Sequence, residues 1–592
     1  MKKLILGLVL GMVLEYGTPL ADTHYVSKTG SDVYPYTSWA TAADSIQKGI
    51  NASSYGDTVM VGPGTYRETV KMMAGIILLG SGMESCIIYP QLRSVRDIVY
   101  GADSASVEGF HIKGWQPGQM EVCTGIRSAV DSKLKRIANN KITNCDWGIY
   151  MGMVNTEVAN NILTDNWRAI HTDLGTTGWI INNTICHNDR GIHFWDTACP
   201  KLIRNIIWDV AVVGAIDGNF FDSIFIENNL IFDMGDADAV VLVKYYSGHF
   251  ETAPIMNNTI IGSPNRSVIG ILYFSNEIKN NIVSGGLRGI VGVEEDGYQC
   301  NPQVSYNDLW NNEVNYYMYG GASVDTSLGG NIYSDPMFVG GDDYHLQYGS
   351  PCIDAGDPNI KDPDSSRSDI GCYGGPWGET YIYQDYPPKA PDSLTATSSQ
   401  SVITLHWKPN TEYDLSHYLV YRDTLTGFIP DSFKIVGEVP KDSSVFRDDA
   451  VVLGRTYYYR VSAWDSTGHE SEYSDEVQVL ATEVGESTEE ENRPPVFQLF
   501  QNYPNPFNSS TVIWYHLPDV GFQPAEVEIT IYNLLGKVVR TLVKQRQYPG
   551  EHKVLWDGKD DSGKEVASGI YFYRMKVSGL QLVKPKKMVL LR

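Results

Sequence analysis

The chain has 592 residues, a net charge of −24 at pH 7, and 42% hydrophobic residues, with 56 Gly and 37 Tyr. The acidic balance argues against a nucleic-acid partner, which needs a basic face, and the composition excludes a disordered chain. A length of this order predicts about three to five domains.

The first 21 residues are typical of a secretory signal peptide. Lys2 and Lys3 precede an apolar stretch over residues 4–14, which is too short to span a bilayer comfortably. No later segment approaches 18 consecutive apolar residues, so we expect no transmembrane span in the mature chain. The alternative for this segment is a buried N-terminal helix.

The next element is a helix predicted over residues 39–50, which would cap an open edge of the fold. An Asn-containing motif then repeats at intervals of 21 to 29 residues, mostly near 22. About 22 residues suffice for three short strands and three turns, which is one coil of a parallel β-helix. Because an amide both donates and accepts, stacked Asn side chains should bond along the axis. The repeat positions are Asn140, Asn161, Asn183, Asn205, Asn229, Asn258, Asn281 and Asn307.

Each Asn is followed by a short strand with a Gly-Ile or Ala-Ile pair, whose Ile should point inward and whose next residue should point outward. The outward face then carries rings and charges that suit sugar faces, hydroxyls and carboxylates. We predict a face that binds polysaccharide or another surface partner. Its candidate residues are Arg168, His171, Asp173, Arg190, His193, Trp195, Asp196, Asp217, Lys244, Tyr245, Tyr246, Arg288, Glu294 and Glu295.

The alternative is a polysaccharide lyase that uses the same face. Elimination in a uronate polymer needs a base, a cation beside the carboxylate and a proton donor. The base candidates are His171, His193 and Lys244, the cations are Arg168 and Arg190 or calcium on Asp173 and Asp196, and the donors are Tyr245 and Tyr246. Outward residues on any solenoid are polar, so a non-catalytic surface or a structural stalk also remains open. We expect no required cofactor, with calcium the metal to test.

A family resemblance rests on residues 56–66, which read GDTVMVGPGTY and follow the predicted cap helix. They resemble the first coil of secreted right-handed parallel β-helix proteins of the pectin-lyase-like superfamily. Residues 350–357 and 369–371 resemble the closing segment of such proteins. The resemblance implies a β-helix over residues 22–376. Of eight cysteines, Cys352 and Cys372 flank one loop and are the candidate disulfide, whereas Cys145 and Cys186 occupy repeat positions and are expected in the core.

Two small β-sandwiches are predicted after the β-helix. Residues 388–483, with Trp407, Tyr418, Tyr421 and the run 456–461, resemble a fibronectin type III domain, and 484–495 read as an acidic linker. Residues 496–592 contain ordered motifs, among them 497–508 and 531–536, which resemble the Ig-like C-terminal sorting domain of type IX secretion cargo.

That second resemblance implies the type IX machinery as a partner and delivery to the surface of a Gram-negative bacterium. The fold class predicted is therefore all-β, a right-handed parallel β-helix followed by two Ig-like sandwiches, and we expect a monomer. The acidic loop with Asp557, Asp560 and Asp561 is predicted as a calcium site or a solvated turn.

Overall fold

The computed structural model describes residues 21–591 except for 93, 116–121, 132, 174, 196–197, 212–213, 221–223, 233, 235–238, 246–253, 273–275, 295–298, 483–497, 503, 518–524, 535, 548–549 and 578–584. Nearly all of the predicted signal segment and the acidic linker lie outside this part of the chain. In the part described, no helix has both the length and the apolar character needed to cross a membrane.

The cap helix is present but shorter than predicted, and it spans Ile46–Ala52. The prediction of a helix from residue 39 was wrong because residues 39–45 form turns, and Ser45 caps the helix by accepting from the Lys48 amide. The Glu68 carboxylate accepts from the amides of Ile46 and Gln47. The helix buries Ile46, Gly49 and Ile50.

The following residues wind as a right-handed parallel β-helix, as predicted, and each regular coil contributes one strand to each of three sheets. Sheet A contains, in spatial order, Thr23–Val26, Thr58–Val61, Ile77–Gly80, Ser106–Glu108, Arg136–Ala138, Asn155–Ala159, Thr177–Ile181, Lys201–Ile203, Phe225–Glu227, Ile255–Met256, Glu277–Lys279 and Gln303–Ser305. Sheet B contains Gly64–Tyr66, Cys86–Ile88, His111–Lys113, Lys141–Thr143, Ile162–Thr164, Thr184–Asn188, Ile206–Val210, Leu230–Phe232, Thr259–Ile261, Ile282–Ser284 and Asp308–Trp310. Sheet C contains Val70–Lys71, Asp97–Tyr100, Thr124–Ala129, Trp147–Gly152, Arg168–Asp173, Arg190–Phe194, Ile216–Phe220, Ala239–Tyr245, Ser267–Leu272, Arg288–Val293 and Val314–Tyr319.

The inside of the solenoid is filled by stacked aliphatic side chains. In sheet C the register places one fully buried residue of each strand above the next, which confirms the inward orientation predicted for the Ile positions. These residues are Ile126, Ile149, Ile170, Ile192, Ile216, Val241, Ile269 and Ile290.

The predicted asparagine ladder is present in full, and all eight amides are buried. The Oδ1 of each Asn accepts from the backbone amide of the preceding rung at 2.9–3.1 Å, as between Asn161 and Asn183. Its Nδ2 donates to the Oδ1 of the next rung. Asn331 continues the ladder as a ninth rung that the repeat analysis missed.

The closing segment folds back along the solenoid between residues 350 and 379. Asn228 donates to the Cys372 carbonyl at 3.0 Å, and Asn257 donates to the Ser368 hydroxyl at 3.0 Å. Both asparagines have a positive φ, near 53° and 51°, at the corner just before the ladder. The segment is therefore held by side chains more than 100 residues earlier in the chain.

Cys352 and Cys372, the pair considered for a disulfide, are both free thiols in this structure. The Cys352 thiol donates to the Asp308 carboxylate at 3.3 Å. Cys372 instead lies beside Thr259, whose hydroxyl accepts from the Cys372 amide at 3.0 Å. A short antiparallel pair, Phe338–Gly340 with Asp343–Leu346, precedes this segment.

The C-terminal part of the chain contains four antiparallel sheets. The strand order of the first two is that of a fibronectin type III domain: Asp392–Ser399, Val402–Lys408 and Val445–Asp448, then Ile435–Pro440, Leu415–Asp423, Thr456–Asp465 and Val477–Leu480. The other two are Gln498–Leu499, Thr511–Leu517 and Gly550–Trp556, then Val538–Gln547, Ala525–Asn533, Gly569–Val577 and Lys586–Leu590.

The acidic loop near residue 560 is a hydrogen-bonded turn. The Asp560 carboxylate accepts from the Ser562 and Lys564 amides at 2.9 and 3.0 Å. Asp557 forms an ion pair with Arg540, and Asp561 accepts from the backbone. Of the two predictions for this loop, the structure therefore favours the turn over a calcium site.

Candidate functional site

Sheet C aligns one outward residue from each coil into a column, which we call the histidine column. The strand register pairs each member with the next, and the column reads Tyr100, Arg127, Tyr150, His171, His193 and Asp217. Parallel strands lie about 4.8 Å apart, so neighbouring side chains must stack or pair. The column is the centre of the candidate site.

The aromatic members of the column form a continuous stack. The ring centroids of Tyr150 and His171 are 5.7 Å apart, and those of His171 and His193 are 5.2 Å apart, with nearly parallel planes. Trp147, from the start of its strand, stacks on both Tyr150 and His171 at 5.2 and 4.9 Å. Trp147 and Tyr150 are half-buried and the two histidines are buried, so the stack meets solvent mainly at its Trp147–Tyr150 end.

His193 and Asp217 form a close pair. The Nδ1 atom of His193 lies 2.8 Å from Oδ2 of Asp217, and the two residues are only 5% and 4% exposed. The Nε2 atom of His193 and the Oδ1 atom of Asp217 are buried and have no hydrogen-bond partner in the described part of the chain. An Nδ1–H held by a carboxylate leaves the Nε2 lone pair free to accept a proton.

Arginines flank the stack. Arg168 lies 3.2 Å from Nδ1 of His171, Arg190 lies 3.8 Å from Asp217, and Arg127 covers the Tyr150 ring at 4.8 Å. Burial, with the charge of Arg168, lowers the pKa of His171 to about 3. His171 is therefore neutral at physiological pH, and the positive charge of the site resides on the guanidinium groups.

Two further predicted residues lie two positions beyond the column histidines: Asp173 ends the strand of His171, and Trp195 directly follows the strand of His193. Asp173 is half-buried and its carboxylate accepts from the Tyr150 hydroxyl at 3.4 Å. Trp195 is 52% exposed, and its ring centroid is 6.1 Å from that of His193. Trp195 is therefore the most accessible ring at the centre of the site.

The remaining predicted residues do not join this cluster. For Lys244 and Tyr245 the structure describes only the backbone, which pairs with residues 219 and 220. Arg288 covers the Tyr317 ring at 3.9 Å, and the Glu294 amide donates to Tyr319. Arg288 is four strands beyond Arg190 in sheet C, which is about 19 Å along the axis. Asp196, Tyr246 and Glu295 lie outside the described residues.

Four residues of the site were missed by the sequence analysis, namely Tyr100, Arg127, Trp147 and Tyr150. The repeat contained the signal, because Tyr150 follows the Gly-Ile pair of its own coil just as His171 follows Ala-Ile. The Asp217–His193 pairing had no such signal, since Asp217 was expected to contact substrate rather than to hold a histidine.

Comparison with known families gives two partial matches. A family model described as periplasmic copper-binding protein (NosD) matches residues 50–229, which includes the histidine column from Tyr100 to Asp217. A model described as FlgD Ig-like domain matches residues 522–580. No curated protein matches the chain.

Similar solved structures overlap only slightly with this chain. An Fn3-like protein from Clostridium thermocellum is 25% identical and covers 16% of this chain and 95% of its own, with a TM-score of 0.14. The spore cortex lytic enzyme SleM of Clostridium perfringens is 24% identical over 18% of this chain and 32% of its own, with a TM-score of 0.14. Dimeric latent PorU from Porphyromonas gingivalis is 15% identical over 36% of this chain and 22% of its own, with a TM-score of 0.20.

The described residues of the matched region hold no cluster of three His, Cys, Asp or Glu side chains that could bind the copper of the NosD description. Protein copper sites use imidazole, thiolate or thioether ligands, and Cu(II) also takes tetragonal nitrogen and oxygen ligands. Among the described residues, the group of three His, Cys, Asp or Glu side chains within 4.8 Å of one another is Asp385, Asp465 and His469, which lies outside residues 50–229. The stacked pair His171 and His193 lies beside Arg168 and Arg190, whose charges repel a metal cation.

Proposed function

We propose that the chain is an exported protein whose histidine column binds an acidic, uronate-containing polysaccharide. The observation that carries the proposal is the flat stack of Trp147, Tyr150, His171 and His193 with arginines at its side. Rings pack on sugar faces, and guanidinium groups bind carboxylates with paired hydrogen bonds. Although the protein has a net charge of −24, the arginines make the potential at this site positive, and a positive site attracts an anionic polymer.

Binding is tested by titrating the purified chain with polygalacturonate, alginate and a neutral glucan, each with and without calcium. We expect binding to the uronate polymers alone, and Trp195→Ala should weaken it about 5- to 10-fold through lost ring contact. Trp514→Ala is the matched control, because Trp514 is a 39% exposed tryptophan of the C-terminal domain. Equal affinity of both variants for the polymer would contradict the proposal.

A second candidate function is β-elimination on the same polymer, favoured by the His193–Asp217 pair. In this reaction Nε2 of His193 takes the proton α to the uronate carboxylate, the bond to the leaving oxygen breaks, and a carbon–carbon double bond forms. The leaving oxygen then takes up a proton. Arg168 and Arg190 would neutralise the carboxylate during proton removal.

The enzyme candidate is tested by following unsaturated product by ultraviolet absorption. Asp217→Asn should lower the rate about 10²- to 10⁴-fold, because the amide no longer holds the Nδ1–H tautomer. Asp173→Asn, two positions beyond His171 at the end of its strand, should change the rate much less. Retention of the polymer without any product favours the binding protein over the lyase.

We also propose that residues 496–592 are a type IX sorting domain. Support comes from the order of motifs in this segment and from its partial match to an Ig-like domain. The test fuses residues 496–592 to a reporter in a bacterium with a type IX system. Surface delivery is expected, whereas retention of the reporter in the periplasm, as with a control fusion to residues 388–483, would contradict it.

A further inference from the structure

Two cysteines in successive coils lie against each other in the solenoid core. Cys123 and Cys145 are 22 residues apart, are 4% and 0% exposed, and are both free thiols in this structure. The Cys123 carbonyl accepts from the amides of Asp146 and Trp147 at 2.9 and 3.2 Å, so the strands of the two coils pair here. Cys145 is thus the diagonal neighbour of Cys123 on the adjoining strand.

These cysteines interrupt a second amide ladder. Asn188 accepts from the Asn166 amide at 2.9 Å, and Asn166 accepts from the Cys145 amide at 3.0 Å. Cys145 has no side-chain oxygen to continue the series, and the Cys123 amide donates to Asp146 instead at 2.7 Å. The second ladder therefore ends at Cys145.

The two thiols are in contact and differ in acidity. The Cys145 thiol donates to the Thr143 carbonyl at 3.5 Å, and a hydrogen bond between the two thiols lowers the pKa of Cys123. The same contact and burial raise the pKa of Cys145. Two thiols that lie beside each other in the folded chain are placed to be linked once they are oxidised.

We propose that Cys123 and Cys145 form a disulfide that links two successive coils when the chain folds in an oxidising compartment. Strands about 4.8 Å apart with a rise of about 3.4 Å place diagonal Cα atoms about 6 Å apart, within the range of disulfides. The Cys123 thiolate attacks the disulfide of a donor, either a small molecule or a thiol oxidase. This forms a mixed disulfide and releases one thiol of the donor. The Cys145 thiolate then attacks the Cys123 sulfur and releases the second donor thiol, so the donor disulfide is reduced and its two sulfurs take up the two protons that the cysteines lose.

The site also determines when the bond forms. Both thiols are buried in the folded chain, so exchange with a donor takes place before the coils close. The oxidising compartment in this proposal rests on the proposed export. The formation of the bond does not, because a chain refolded with a disulfide donor can form it without export. Thiol counting is independent of polysaccharide binding, so either proposal can fail without the other.

The test refolds the full chain with oxidised and reduced glutathione, quenches it with a maleimide under denaturing conditions and counts labels by mass. The chain has eight cysteines; six labels before reduction and eight after reduction are expected, with the peptides of Cys123 and Cys145 linked. Reduction should lower the Tm by several degrees.

Cys186→Ser is the matched control, because Cys186 is also buried in the solenoid, and it should keep the linked peptide. Cys123→Ser should lose both the linked peptide and the Tm response to reductant. Eight labels after oxidative refolding, or a link between Cys352 and Cys372 in place of the expected one, would overturn the proposal.

Discussion

A single buried amide makes four hydrogen bonds in the ladder, which is why the repeat uses asparagine. Asn183 accepts from the backbone and the side chain of Asn161, each at 3.0 Å. It donates to Asn205 at 3.0 Å and to the Val158 carbonyl at 2.9 Å. A carboxylate could accept but not donate, and stacked carboxylates would repel one another.

Replacing one rung should therefore destabilise the solenoid. In Asn183→Ala the buried amide of Asn161 loses its acceptor, and the cost of one unsatisfied group is about 1–3 kcal/mol. We expect a loss of this size in the free energy of unfolding, measured with denaturant. Asn182→Gly is the control, since Asn182 is exposed with a φ of 54° that glycine adopts freely. Equal losses in both variants would refute the role of the ladder.

The ladder could be predicted from the sequence because every rung repeats the same chemistry at a regular interval. The His193–Asp217 pair could not, because the two residues are different types joined only by the register of neighbouring strands. Because inserted residues make the coils differ in length, spacing along the sequence alone does not reveal which outward side chains meet.

At the scale of elements, the closing segment differs most from what the sequence indicates. Its motifs predicted an end to the β-helix, but its backbone returns along the solenoid, and Asn228 donates to a carbonyl 144 residues later. Such contacts leave no periodic signal. The cap helix shows the opposite case, since its existence was predictable from local spacing and only its start, at Ser45, depended on a capping contact.

The closing segment should also make stability depend on pH. Burial raises the pKa of Asp308 and of Asp369, each to about 7, against about 3.9 in an unfolded chain. Between pH 4 and pH 7 the folded state therefore holds protons that the unfolded state has released. The stability that these protons supply is present below pH 4 and is lost as the pH rises to 7.

Asp308→Asn removes one of these titrations. We expect the variant to be more stable than the natural chain at pH 8, by on the order of 2–4 kcal/mol, and similar to it at pH 4. The measurement is the free energy of unfolding across that range. Asp364→Asn is the control, because Asp364 is exposed and hydrogen bonds from Ser366 lower its pKa. An unchanged pH slope in Asp308→Asn would contradict the assignment.

At the scale of the whole solenoid, each coil buries its aliphatic residues only against its neighbours, so stability is a property of the stack. The pairing of Trp179 with Lys201, and of Lys201 with Phe225, makes residues 178, 200 and 224 equivalent. An internal deletion therefore has two possible outcomes, which depend on whether the remaining strands keep this register.

Deleting residues 178–223 removes 46 residues and places Ile224 where Gly178 stood, so the strands that follow stay in register. Deleting residues 178–222 removes one residue fewer, and the next strand then turns its buried side chains, such as Ile226, toward solvent. We expect the first variant to keep a cooperative thermal transition by circular dichroism and the second to lose it. Since the two deletions differ by one residue, equal melting behaviour would contradict a stack of registered coils.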